Sequence, residues 1–155
     1  SLITNLKRGK LVLIMNPVEV EVAEKLHGHL GPFLAIGLKM GELALDIINT
    51  EKYSVKAEVL IRLKPPFSCI LDGVQVASGC TLGRGNIKVR DTEDPMEVTA
   101  VFTGKDKKVI VKVKREVLEE AFETPFESCR EKALEILRLD WRELFKVEVI
   151  DSCKA

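Results

Sequence analysis

From Pro32 to Ile48 the chain is apolar at nearly every position, with Phe33, Leu34, Ile36, Leu38, Met40, Leu43, Leu45 and Ile47 spread all round a helical wheel. A helix of that kind belongs at the centre of a fold. Gly37 and Gly41 lie inside it at about 1 kcal/mol each of lost helix propensity. The compensation expected is a close approach of another backbone, within the domain or across a dimer interface. Just upstream, Asn16-Pro17-Val18-Glu19 joins an N-cap, Pro at the first helical position and an early Glu. Val22, Leu26 and Leu30 follow at helical spacing. The alternation from Val18 to Val22 fits a strand as well; the helix is taken, with both histidines at its carboxyl end.

Further along, Ala57, Val59, Ile61 and Leu63 alternate with charged residues, predicting a strand with one buried face that Pro65-Pro66 ends. Ser68 to Ser78 reads as a short helix, with Ser68 as cap and Gly79 just past its end. Strands are expected at Ile87–Arg90, Glu97–Thr103 and Val109–Lys114, the last two as a hairpin around Gly104-Lys105-Asp106. Thr124-Pro125-Phe126-Glu127 is a capping-box start for a helix that carries Phe126, Cys129, Ala133 and Leu137. Asp140-Trp141-Arg142-Glu143 caps one more turn before a strand from Phe145 to Ile150. At the amino end, Lys7 to Lys10 followed by Leu11–Met15 imitates a signal peptide, but its apolar core is too short. It reads as an edge strand or arm over residues 1–16, ahead of one domain over 17–155.

A chain of 155 residues buries about 68–70% of its unfolded surface, so folding requires neither a metal nor a disulfide. Lys plus Arg equals Asp plus Glu at 24 each, which removes the net field that gathers nucleic acid. Lys105, Lys107, Lys108, Lys112 and Lys114 read as a solvated face, since no aromatic platform is interleaved with them. Lys39, Glu42 and Asp46 interrupt the apolar helix, and no window approaches the ~20 residues of a membrane span. Cys69, Cys80, Cys129 and Cys153 contain no CxxC pair. A reducing cytoplasm is the expected compartment.

His27-Gly28-His29 holds both histidines of the chain, a concentration that suits a metal or proton-transfer site. Residues two apart do not share a helix face, so both rings reach one ion only if the helix unwinds at Gly28. Cys69 falls in the first turn of its helix, where orphan N–H groups and the dipole favour a thiolate. The loop from Gly79 to Asn86 lacks the Lys-Ser/Thr ending of a P-loop and leads into a strand. Its three glycines permit turns that fold Cys80 and Arg84 over a site. Cys129 is expected to be core packing.

Three segments, LHGHLGPFLAIGLKMG at 26–41, SCILDGVQVASGCTLGRGNI at 68–87 and LDWRELFKVEVI at 139–150, resemble the FmdE family, whose name comes from formylmethanofuran dehydrogenase. The resemblance implies an α+β domain, helices packed on a mixed sheet, with the His and Cys positions gathered at one site. Longer relatives carry a carboxyl-terminal zinc ribbon. The stretch Asp151–Ala155 has no cysteine pairs for one, so a stand-alone form is expected and a place in a larger dehydrogenase complex does not carry over. With no cysteine run for an iron–sulfur cluster and no pterin, the chain alone is not expected to oxidise formylmethanofuran.

Residues and resemblance converge on His27, His29, Cys69 and Cys80, whose imidazoles and thiolates suit zinc. Asp72, one turn after Cys69, is placed to orient an imidazole. Gln75, Arg84 and Asn86 are candidates to bind a small polar or anionic ligand beside the metal. Two other classes stand beside this reading. One is a thiol redox protein using Cys69 and Cys80. The other is a non-catalytic assembly subunit, in which Gly37, Gly41 and the apolar helix build an interface; self-association as a two-fold dimer through the Pro32–Ile48 helix is expected in its own right, as the way to bury the excess apolar surface.

Overall fold

The structure, a computed structural model, describes the backbone of residues 2–7 and 10–151 and the side chains of residues 16–151. Expectations for Ser1, for Arg8-Gly9 and for the tail 152–155 with Cys153 lie outside the described residues. β1 (Leu2–Lys7) and β2 (Lys10–Met15) pair antiparallel as a two-stranded sheet. α1 (Pro17–His27) opens with Asn16 Oδ1 accepting from the Val18 N–H at 2.9 Å, so the capping signal prevails over the alternating pattern. α2 (Pro32–Ile48) is buried from Pro32 to Ala44.

β3 (Lys56–Ile61) leads through α3 (Cys69–Ser78) to a parallel neighbour, β4 (Ile87–Asp91). β5 (Thr99–Thr103) and β6 (Lys107–Val113) form the hairpin, followed by α4 (Arg115–Glu123), α5 (Cys129–Arg138), α6 (Trp141–Leu144) and β7 (Phe145–Asp151). The sheet order is β4-β3-β5-β6-β7, with every pair but β3–β4 antiparallel. The fold is α+β, with helices on one mixed sheet. Period-two alternation puts Ala57, Val59, Ile61, Ala100, Phe102, Val109 and Val111 on its buried face. Among the described residues no helix is long and apolar enough to cross a membrane.

α2 and α3 meet backbone to backbone. A methyl group at Gly37 would collide with the Ile70 carbonyl oxygen, and one at Gly73 with the Leu34 carbonyl and, at 2.6 Å, the Leu38 nitrogen. At Gly41 it would stand 2.8 Å from Ala77 Cβ. The small residues of α2 therefore serve a helix of the same chain, and their presence is explained without a second copy.

The stretch between β6 and α5 departs from the expected pattern. Residues 115–123 form α4, whose fully buried residues are only Leu118 and Ala121. Thr124 does not cap the next helix; its hydroxyl donates to the Glu120 carbonyl at 2.9 Å and closes α4. A 3-10 turn, Phe126–Ser128, precedes α5. Phe126, expected on that helix, lies in the 3-10 turn instead and is 82% exposed, because the corner turns it outward.

Two charges of α2 are enclosed. Lys39 Nζ donates to the carbonyls of Leu139 (2.8 Å) and Leu137 (3.5 Å), tying α2 to the end of α5. Glu42 Oε2 is buried without a hydrogen-bond partner. Burial pushes the Glu42 carboxyl up to about 7, the Lys39 charge opposing the shift and that of Glu19 adding to it.

Two outcomes follow. Gly73→Ala should lose about 1–3 kcal/mol or more of stability in urea titration, since the α2 backbone already stands where the added methyl would go. For Glu42, the folded state binds more protons than the unfolded state between the ordinary value of 4.5 and about 7. Stability contributed by this group should fall as pH rises through that window and level off above it. Glu42→Gln should remove that slope and raise the thermal midpoint at pH 8 by a few degrees. An unchanged pH profile in the variant would refute the assignment.

Candidate functional site

α1 ends where Gly28, at φ 103°, takes the left-handed conformation and donates its N–H to the Glu24 carbonyl at 2.8 Å. That break leaves His27 on the last helical turn and His29 in the joint to α2, their ring centroids 5.1 Å apart. At Gly31 a Cβ would lie 3.2 Å from His29 Nε2, so the absence of a side chain there leaves the ring its place.

Across from this joint, α3 presents Cys69 and Asp72. Asp72 Oδ2 lies 2.7 Å from His27 Nδ1, and Gln75 Nε2 reaches Asp72 Oδ1 at 3.5 Å. A carboxylate only accepts, so His27 donates from Nδ1, and in the neutral ring that tautomer leaves the lone pair on Nε2. Gln75 Oε1 in turn accepts from the Leu82 N–H at 3.1 Å. A chain of contacts thus runs from the imidazole to the glycine loop.

His27, His29, Cys69 and Cys129 line one cavity of about 360 Å³. It opens where β3 ends, with Pro65 and Pro66 in its wall. Cys129 was expected to be packing only; it is half-buried at the first position of α5, facing this space.

Cys80 is not brought there. It lies beyond the opposite end of α3 from Cys69, on the order of 15 Å away at 1.5 Å per residue. It is fully buried, its thiol donating to the Val55 carbonyl at 3.3 Å. A disulfide needs Cα atoms within about 7 Å, so the Cys69–Cys80 couple is not formed in this fold. Nor does Cys69 meet unused amides. The N–H groups of Cys69, Ile70 and Leu71 donate to the carbonyls of Pro66, Phe67 and Ser68, a tight turn that leads into α3. Burial pushes the Cys69 thiol up, the Asp72 charge adds to that, and a backbone hydrogen bond opposes both. Burial raises Cys80 likewise, against a hydrogen bond from Ser78.

The residues read as ligand-binding are also dispersed. Asn86 staples the glycine loop, Oδ1 accepting from Thr81 N–H at 2.8 Å while Nδ2 donates to the Val55 and Gly79 carbonyls. Arg84 lies over the Tyr53 ring, 4.4 Å from its centroid. Neither these nor Gln75 line the histidine cavity. Of the four residues expected at one site, the structure brings His27, His29 and Cys69 to this cavity and leaves Cys80 away from it. As the side chains lie, no three His, Cys, Asp or Glu among the described residues stand close enough together to hold a metal ion.

A family model described as FmdE, Molybdenum formylmethanofuran dehydrogenase operon, matches residues 26–146, a span that includes every residue of this cavity. A protein of Archaeoglobus fulgidus named "Probable S-adenosyl-L-methionine-binding protein" is 36% identical over 67 residues, 42% of this chain and 18% of that protein. This chain thus matches less than a fifth of that relative's length.

The exposures order the thiols. Cys69 and Cys129 should react with an aromatic disulfide reagent at least ten times faster than Cys80, read by mass spectrometry of labelled peptides. Comparable rates for all three would mean that the Val55–Cys80 contact does not exist.

Proposed function

The chain belongs to the FmdE family, and from that premise we propose a metal- and ligand-binding protein whose site is the cavity of His27, His29, Cys69 and Cys129. The observation that carries this is the 2.7 Å contact between Asp72 and His27 at the cavity wall. A carboxylate behind an imidazole fixes its tautomer and raises its basicity, the arrangement that metal-ligating histidines use. The donor types, imidazole and thiol, fit zinc. A bound cation reverses the local field that now holds the Cys69 proton, so uptake of the ion releases protons and weakens as pH falls.

Among the described residues the cavity wall carries no Asp, Glu, Lys or Arg side chain, so the small ligand of this reading is held by shape and by the imidazoles rather than by ion pairs. S-adenosyl-L-methionine, in the name of the relative, is the first compound to test in it. The described cysteines are free thiols, in keeping with a reducing cytoplasm. The assembly-subunit reading draws on one feature, the exposed stripe Val18, Val22 and Leu26 along α1.

Zinc titration of the chelator-treated protein should give about one ion per chain and a rise in melting temperature. His27→Ala and Cys69→Ala should each abolish tight uptake, and Asp72→Asn should weaken it about 10–100-fold. Cys80→Ser should leave it unchanged. Equal zinc affinity in the wild type and in His27→Ala would sink the proposal.

A further inference from the structure

Four of the six phenylalanines of this chain, Phe33, Phe67, Phe122 and Phe126, converge on the histidine cavity or its wall. The first two are buried. Phe33 meets Phe67 edge to face at 5.6 Å and 82°, and Phe67 stacks on Phe122 at 5.5 Å and 13°. The series then reaches the surface. Phe122 is 54% exposed and Phe126 82% exposed, and the Phe126 ring lies 6.4 Å from that of His29. Phe122 and Phe126 stand on the corner between α4 and α5, which the Thr124–Glu120 hydrogen bond fixes and the Cys129 thiol, donating to Pro125 at 3.5 Å, ties again. Large apolar rings held open on a braced corner beside the cavity offer a face that a ligand's ring can cover.

We propose that the cavity takes a flat, uncharged aromatic or heteroaromatic ring, seated against Phe122 and Phe126 with its polar end toward His27 and His29. This rests on the reading that the cavity is the ligand site. Aromatic rings prefer offset-stacked or edge-to-face neighbours with centroids 4.5–7 Å apart. Phe122 has one such neighbour in Phe67 and keeps more than half of its surface open for another. A volume of about 360 Å³ is at the small end of ligand pockets, which favours one or two fused rings. A charged group on the ring would find no ion partner in the wall, so any such group lies outside the mouth.

Indole and cyclohexylmethanol are the probes, one planar and one puckered, both uncharged. Each is titrated into the full chain, with and without zinc, and followed by NMR. Indole should bind more tightly by about 2- to 10-fold and shift the ring protons of Phe122 and Phe126 upfield. Phe122→Leu and Phe126→Leu retain apolar bulk at exposed positions, and each should remove most of that advantage while leaving zinc stoichiometry unchanged. Equal binding of the two probes by the wild type, no binding of indole, or indole binding unaffected in both variants overturns the proposal. Should a variant not fold, the wild-type comparison alone decides. Loss of zinc binding with indole selectivity intact would sink the metal reading and leave the ring subsite standing; the reverse would do the opposite.

Discussion

Everything at the histidine cavity depends on how closely α3 lies on α2. Gly37, Gly41 and Gly73 remove the side chains that normally separate two helices, so the helices touch through their peptide groups. Interhelical distances of 8–10 Å are set by contact side chains; with none at Gly37 and Gly73, the facing carbonyl oxygens limit how far α3 can turn or slide on α2. Asp72 is one residue before Gly73. Its carboxylate meets His27 because the neighbouring residue has no freedom to slide. The same packing leaves Cys69 on the cavity side and sends Cys80 to the far end.

The boundaries of α1, α2 and α3 were legible because each has a local chemical signal. Asn16-Pro17 starts one, Pro32 another, and Gly28 and Gly79 end two of them in left-handed turns. α4 had no such signal: its buried face amounts to Leu118 and Ala121, too little to stand out from charged neighbours. Thr124 misled for a related reason. A hydroxyl that closes one helix and one that opens the next occupy the same place in the sequence, and only the bond to Glu120 distinguishes them. The site was half legible. Two histidines around a glycine and a carboxylate one turn from Cys69 were readable locally, whereas which cysteine faces the histidines is a long-range fact. Cys129 is about a hundred residues from them, and nothing in its spacing points there.

The enclosed charges of α2 illustrate a second limit. Lys39 and Glu42 interrupt an apolar run, which in sequence argues only against a membrane span. In the fold they are unlike. Lys39 finds two carbonyls at the end of α5, while Glu42 keeps an oxygen with no partner. A buried ammonium with good acceptors ties elements together, and a buried carboxyl without a donor shifts toward its neutral form instead.

The glycine contact also bears on how such a sequence can drift. Where helices meet through side chains, a methylene lost on one is regained on the other, and lineages wander through many compatible pairs. Gly37 and Gly73 face carbonyl oxygens, and no residue is smaller than glycine. Neither position has a compensating partner, so each is confined to a single letter whatever the cavity binds. Divergence among relatives would then collect on the α4–α5 corner and the outer sheet face, leaving the α2–α3 seam unchanged.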